Sequence, residues 1–146
     1  MDSFTYVISS NNATSATTAN NCYIKLAGLP NYRKFKCEVI DFAIDIETLD
    51  LTTIVASYLV LTASSEMQIL DGIMHPNKFN RICNINLFNG CMTSIRGNIF
   101  TVENFNSHTV NFQIGLPNLT LLPTGKINTT ATTYWTLTLK MTPINE

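Results

Sequence analysis

Residues 134–143, Tyr-Trp-Thr-Leu-Thr-Leu-Lys-Met-Thr-Pro, constrain the fold of this chain more than any other stretch. From Trp135 onward apolar and polar residues alternate, and only a period of two, as in a β-strand, gives this pattern. The apolar row is Trp135, Leu137, Leu139 and Met141, and the polar row is Thr136, Thr138, Lys140 and Thr142. Because proline has no N–H to donate, we expect the strand to end at Thr142, before Pro143. The pattern predicts a central core strand with one buried face.

Seven further segments are predicted to be strands because they are rich in β-branched and aromatic residues and are bounded by turn formers. They are residues 4–9, 22–26, 35–46, 55–62, 82–88, 98–105 and 110–114. Residues 55–62 are apolar on both faces, which is typical of a strand buried between layers or covered by a partner. In residues 35–46 the apolar row changes face near Ile40, which predicts a bulge or a bend.

The connections between these segments are predicted from turn and loop signals. Asn89-Gly90 is the strongest hairpin signal and is expected to join residues 82–88 to a strand that begins near Cys91. Residues 67–70 are predicted to form a short strand, and residues 73–81 are predicted to be the longest irregular stretch. Residues 10–21 form a polar run with little to bury, which we interpret as an N-terminal arm held by the domain or by a neighbouring molecule.

The pattern of strands without an amphipathic helix predicts an all-β chain, either an antiparallel β-sandwich or a barrel. About eight principal strands with uneven connections favour a single jelly roll over an immunoglobulin-like sandwich. The Cys…Trp…Cys order of immunoglobulin domains is also missing, because the tryptophan follows all four cysteines. Residues 1–146 are therefore predicted to form one jelly-roll domain.

The charged share of 13% is about half of the usual ~25%, so the surface must be made largely of uncharged polar residues. Such a surface suits a protein packed against others, although a secreted β-domain or a compositional bias of the genome explains it as well. The net charge of −1 gives no electrostatic case for nucleic acid as the main partner. No apolar run approaches the ~20 residues of a membrane span, and the N-terminus does not resemble a signal peptide.

The four cysteines have no zinc-like spacing. Cys22, Cys37 and Cys83 lie in alternating segments, where a free cysteine behaves as a small apolar residue. We therefore expect reduced core thiols. A disulfide between Cys83 and Cys91 is the alternative, and it requires an oxidising compartment.

For each candidate catalytic or metal-binding residue in the sequence, a purely structural role is the better explanation. His75 and His108 stand beside turn formers and are interpreted as solvated loop residues. Four acidic residues could place two carboxylates on one strand face, as in a hydrolase or a calcium site, but an acidic edge that discourages strand pairing explains them better. They are Asp41, Asp45, Glu47 and Asp50. Three sequences match the glycosylation acceptor pattern, a number that composition alone explains. They begin at Asn12, Asn118 and Asn128.

The remaining candidates are binding residues. Lys78 and Arg81 flank Phe79 and suit a phosphate or a base, although isolated basic loops are common. Phe79, Tyr32 and Tyr134 are the candidate aromatics of a carbohydrate- or receptor-binding module, the alternative function class. Two distant histidines make a poor metal set for a cupin-type enzyme. We therefore predict no enzyme activity, no cofactor, and no catalytic, cofactor-binding or metal-binding residue.

Two segments together resemble a known group of proteins. Cys-Tyr-Ile-Lys-Leu-Ala-Gly-Leu-Pro at residues 22–30, continuing through Tyr32 to Phe-Lys-Cys-Glu-Val at 35–39, and the terminal strand at 134–143 are similar to small structural proteins of large eukaryotic DNA viruses, polinton-like viruses and virophages. The resemblance covers the first third and the last tenth of the chain. It implies a single jelly-roll penton or minor capsid protein that is assembled in the host cytoplasm, lies in the virion and contacts other capsid proteins, including copies of itself. It carries over no catalytic residue.

Overall fold

The computed structural model describes residues 2–13, 20–44, 58–86, 99–117 and 135–145. These ranges contain nine strands. They are β1 (Phe4–Ser9), β2 (Asn21–Lys25), β3 (Lys34–Ile44), β4 (Tyr58–Ala63), β5 (Ile73–Met74), β6 (Asn80–Asn86), β7 (Ile99–Glu103), β8 (Thr109–Gly115) and β9 (Trp135–Ile144). Two 3₁₀ turns follow β1 and β4, at Ser10–Asn12 and Ser65–Met67.

The strands form two antiparallel sheets. The four-stranded sheet has the order β1-β9-β3-β7, and the five-stranded sheet has the order β2-β8-β4-β6-β5. The pairing is nested, since β1 pairs with β9, β2 with β8, β3 with β7 and β4 with β6. A long hairpin rolled up in this way is a jelly roll, so the fold class predicted from strand spacing is confirmed. The short strand β5 is an addition at the edge of the second sheet.

The core lies between the sheets and is lined by the alternating apolar rows. The predicted inward row of β9 is fully buried from Trp135 to Met141, and the corresponding row of β8 is buried from Val110 to Ile114. The Trp135 ring lies 5.6 Å from that of Phe42 in its own sheet and 5.4 Å from that of Phe112 in the other sheet. This aromatic cluster therefore connects the two layers, and β9 is the central strand that its pattern predicted.

The predicted irregularity in β3 is a bulge. The pairing of β3 with β9 shifts between Val39 and Asp41, and Ile40 and Asp41 are both exposed. The extra residue restores the inward direction of Phe42 after these two exposed residues, so that apolar side chains reach the core on both sides of the bulge. The predicted apolar segment at residues 55–62 is confirmed from β4 onward, where Leu59 to Ala63 are all buried, and residues 55–57 lie outside the described ranges.

Three local predictions were wrong. The strand β9 continues through Pro143 to Ile144. Pro143 pairs with β3, and β1 begins at Phe4, opposite Met141, so Pro143 has a neighbour on one side only, where a missing N–H is tolerated. Residues 73–81 are not irregular, because β5 and the start of β6 form a hairpin. Residues 67–70 form no strand: Met67 ends a 3₁₀ turn, and a single bridge joins Ile69 to β7.

The polar run at residues 10–21 is built into the sandwich at both ends. The Ser10 hydroxyl accepts a hydrogen bond from the Trp135 backbone N–H at 2.8 Å. At the other end, the buried Asn20 accepts one from the Ile114 N–H at 2.9 Å through its carbonyl, and Asn21 begins β2. The two ends are therefore part of the domain. Residues 14–19 lie outside the described ranges, as do the predicted Asn89-Gly90 turn and the strand beginning near Cys91.

Candidate functional site

A cleft of about 370 Å³ lies on the outer face of the five-stranded sheet. The cleft is lined by Tyr23 of β2 and by three residues of β8, Thr109, Asn111 and Gln113. These positions alternate with the buried rows of both strands, so their side chains point away from the core. Because β8 and β4 are neighbours, Ser64, which directly follows β4, and the adjacent 3₁₀ turn lie beside them. The sheet order thus assembles the cleft from segments that are distant in sequence.

Asn111 is the centre of a hydrogen-bond network in the cleft. Its side-chain amide donates to the Asn21 Oδ1 at 2.8 Å and to the Cys22 carbonyl at 3.1 Å. Its Oδ1 accepts from the Gln113 Nε2 at 3.0 Å, and its backbone N–H donates to the Ser64 hydroxyl at 3.0 Å. Asn111 is buried, so these bonds satisfy a side chain that would otherwise be costly to bury. The network holds the Gln113 amide in one orientation.

Glu66 supplies the negative charge of the cleft. The Ser64 side chain donates a hydrogen bond to its carboxylate, its own backbone N–H donates a second, and the charge of His108 adds a weaker attraction. These interactions lower the pKa of Glu66 below its ordinary value, despite an opposing effect of burial. Glu66 therefore remains ionised at neutral pH. His108, predicted to be a solvated loop residue, lies near this carboxylate at the start of β8.

Two aromatic side chains line the same cleft, Tyr23 from β2 and Phe79 from the hairpin that joins β5 to β6. Tyr23 is 43% exposed. Phe79 is held by its hairpin, since its N–H donates to the Asn77 Oδ1 at 3.1 Å and its carbonyl accepts from the His75 N–H at 3.0 Å. Sequence reasoning named Phe79 but missed Tyr23. The signal was present, because Tyr23 occupies the outward position between Cys22 and the next core residue.

The other two predicted aromatics do not join this cleft. Tyr32 lines a separate cleft of about 320 Å³, together with Arg33 and the end of β9. Its ring lies 6.2 Å from that of Phe35, in an edge-to-face arrangement. Tyr134 lies outside the described residues. The aromatic set expected from the sequence is therefore divided between different parts of the molecule.

Of the candidate basic loop at residues 75–81, Phe79 alone lines the cleft. Lys78 is exposed in the hairpin, and neither it nor Arg81 lines the cleft that Phe79 lines. The Nε atoms of Arg81 and His75 are buried without a hydrogen-bond partner. Burial and the neighbouring charge of Arg81 lower the pKa of His75, so this imidazole is neutral at neutral pH.

No group of three or more His, Cys, Asp or Glu side chains is arranged to hold a metal ion in the described ranges. Asp41 is exposed on β3, and Asp45, Glu47 and Asp50 lie outside those ranges. The acceptor patterns beginning at Asn118 and Asn128 lie outside them as well, whereas Asn12 ends the first 3₁₀ turn.

Cys22, Cys37 and Cys83 are free thiols buried in the core, as predicted. Burial raises the pKa of each thiol, to about 12 for both Cys22 and Cys37. They are therefore protonated and unreactive at neutral pH. Cys91, the proposed disulfide partner of Cys83, lies outside the described residues.

A second surface feature is the segment at residues 68–74, which we call the apolar edge. It crosses from one sheet to the other: Gln68 and Leu70 hydrogen-bond to β7, and Ile73 and Met74 pair with β6. Leu70, Ile73 and Met74 are exposed by 51%, 59% and 54%. Gly72 allows the close approach within this segment, because a Cβ there would lie 2.6 Å from the Ile69 Cγ2. Three large apolar side chains are thus held at one edge of the sandwich.

Comparisons of the chain with protein-family models, with curated proteins and with solved structures found no match. In the part of the chain that the structure describes, no helix has the length and apolar character needed to cross a membrane.

Proposed function

We propose that this protein is a structural component of a virion, a single jelly-roll penton or minor capsid protein that acts through contacts between subunits. The apolar edge is the observation that carries this proposal. Isolated exposed apolar residues are common on protein surfaces, whereas clusters of them mark interaction sites, and the three exposed apolar residues of this edge lie between positions 70 and 74 of the chain. The partners are copies of this chain and other capsid proteins.

The geometry of the apolar edge suits association between subunits. Among the described strands β5 pairs with β6 alone, and we infer that its other side offers backbone groups to a second chain. An exposed edge with apolar side chains invites aggregation unless a specific partner covers it. A neighbouring subunit that covers this edge removes the apolar side chains from water and also pairs the backbone N–H and C=O groups of the edge strand.

Two further features support a subunit of this kind. Jelly rolls serve in viral capsids, although they serve also in lectins and cupins, so the fold alone does not decide the function. The three buried free thiols are compatible with assembly in a reducing cytoplasm. The resemblance of residues 22–39 and 134–143 to capsid proteins of large eukaryotic DNA viruses and their relatives agrees with both features.

The solution mass, measured by light scattering at several protein concentrations in reducing buffer, tests the proposal. We expect a closed oligomer such as a pentamer or a trimer. The double variant Ile73→Lys/Met74→Lys is expected to dissociate it, because two charges at the edge oppose its burial. The control variant is Val7→Lys, since Val7 is equally exposed at 54% but lies on the other sheet.

The outcomes separate the proposal from its alternatives. Loss of the oligomer in the double variant, with an unchanged melting temperature and an intact oligomer in the Val7→Lys control, supports assembly through the apolar edge. A wild-type protein that stays monomeric at every concentration contradicts self-assembly. An oligomer that both variants retain shows that the apolar edge is not the interface.

A further inference from the structure

We propose that the cleft between Tyr23 and Phe79 binds an uncharged pyranose sugar. The chemistry of its lining leads to this ligand class. Aromatic side chains provide flat apolar surfaces for the C–H face of a sugar ring, and amide and hydroxyl groups provide the donors and acceptors that sugar hydroxyls require. Its volume of about 370 Å³ lies within the range of small-molecule sites, about 300–1,000 Å³.

The polar groups of the cleft are organised before any ligand binds. Asn111 uses its side-chain amide for Asn21 and the Cys22 carbonyl and its Oδ1 for Gln113. Gln113 is thereby oriented through one of its N–H groups. We assign its Oε1 acceptor and its second N–H to the hydroxyls of the ligand. A polar side chain that is already fixed in the free protein binds a hydroxyl without the further loss of side-chain entropy on binding.

The charge of the cleft selects against anions. Glu66 is ionised at neutral pH, and its carboxylate accepts hydrogen bonds from sugar hydroxyls. Among the described residues no lysine or arginine lines the cleft. An acidic sugar, or a phosphate, would place its negative charge beside Glu66, and no lysine or arginine side chain in the described lining would offset the repulsion. The expected ligand is therefore a neutral hexose or N-acetylhexosamine.

Titration of the ¹⁵N-labelled full chain, followed by heteronuclear NMR, tests the site. The probes are the methyl pyranosides of glucose, galactose, mannose and N-acetylglucosamine, with N-acetylneuraminic acid as the charged comparison. We expect at least one neutral glycoside to saturate the protein at millimolar concentration, with shift changes centred on the backbone amides of Tyr23, Asn111 and Gln113. We expect N-acetylneuraminic acid to bind at least tenfold more weakly.

Two variants locate the binding. Tyr23→Ala and Glu66→Gln are each expected to raise the dissociation constant at least tenfold, and both positions are exposed, so the fold is retained. Glu103→Gln, on β7 of the other sheet, is the matched control and is expected to leave binding unchanged. Absence of binding by all four neutral glycosides at 100 mM would overturn the proposal. Tighter binding of the acidic sugar, shift changes centred on other strands, or variants that bind as the wild type does would overturn it too. None of these results depends on whether the chain assembles through its apolar edge.

Discussion

Truncation of Trp135 to alanine is expected to destabilise the protein more than any other single change in β9. The side chain is fully buried and packs against Phe42 of its own sheet and Phe112 of the opposite sheet. The substitution removes the indole from the middle of the sandwich. The backbone hydrogen bond from Trp135 to the Ser10 hydroxyl does not involve the side chain and is retained.

The magnitude follows from burial and from the two ring contacts. Truncation of a buried large aromatic residue to alanine costs roughly 3–5 kcal/mol, which includes the cavity left behind. Each aromatic pair contributes about 0.5–1.5 kcal/mol of this cost beyond its buried area. A domain of this size loses about 2–4 °C of melting temperature per kcal/mol, so we expect Trp135→Ala to lower Tm by about 10 °C.

Thermal unfolding followed by circular dichroism measures the loss of Tm, and urea titration measures the loss of free energy. The control is Tyr23→Ala, an aromatic truncation at an exposed site, which is expected to change stability by roughly 0.5 kcal/mol or less. The double variant with Phe112→Ala is expected to lose less than the sum of the single variants, because the two rings contact each other. A Trp135→Ala protein within 2 °C of the wild type, or strict additivity with Phe112→Ala, would refute the contact between the sheets.

Three further predictions concern the thiols, the loop after β2 and the apolar edge. Burial raises the pKa of Cys22 and Cys37 from 9.0 to about 12. Between these two pH values the unfolded chain loses the thiol protons and the folded chain keeps them, so the free energy of unfolding is unaffected below about pH 9 and falls as the pH rises towards 12. Urea midpoints between pH 8 and 11 should therefore fall more steeply for the wild type than for a Cys22→Ala/Cys37→Ala variant, and equal slopes would contradict this. The Asn104 side chain donates hydrogen bonds to the carbonyls of residues 30 and 32 at 3.1 and 2.9 Å. Asn104→Ala is therefore expected to lower the free energy of unfolding by about 1–3 kcal/mol and to speed amide hydrogen exchange in residues 28–33. Unchanged exchange would show that these two bonds do not hold the loop. Gly72→Ala is expected to cost about 1–3 kcal/mol by overpacking, and a urea midpoint equal to that of the wild type would show that the segment adjusts freely.

Much of the architecture was predictable from period-two patterns. The inward row of β9, the bulge at Ile40 and the buried β4 were all visible in the sequence, because the direction of a side chain in a strand depends on its parity. The jelly roll followed from strand number and uneven connections. The short pairings were missed: residues 73–74 carry no strand signal of their own and form β5 because β6 offers them a partner. The strand end at Pro143 was predicted wrongly, because a strand tolerates a proline where no neighbouring strand needs its N–H. Whether β1 reaches Pro143 is decided by the strand pairing and not by the local sequence.

The candidate site was predictable only in part. The sequence showed the outward position of Tyr23 and the presence of Phe79, but it gave no reason to associate them. By itself it determined which side chains face the core and which face water, since alternation within a strand is local. Only the tertiary structure decided which outward residues share a surface, because the order β2-β8-β4-β6 places residues from remote parts of the chain side by side. The cleft and the apolar edge depend on that order, which is set by how the strands pair across the whole chain.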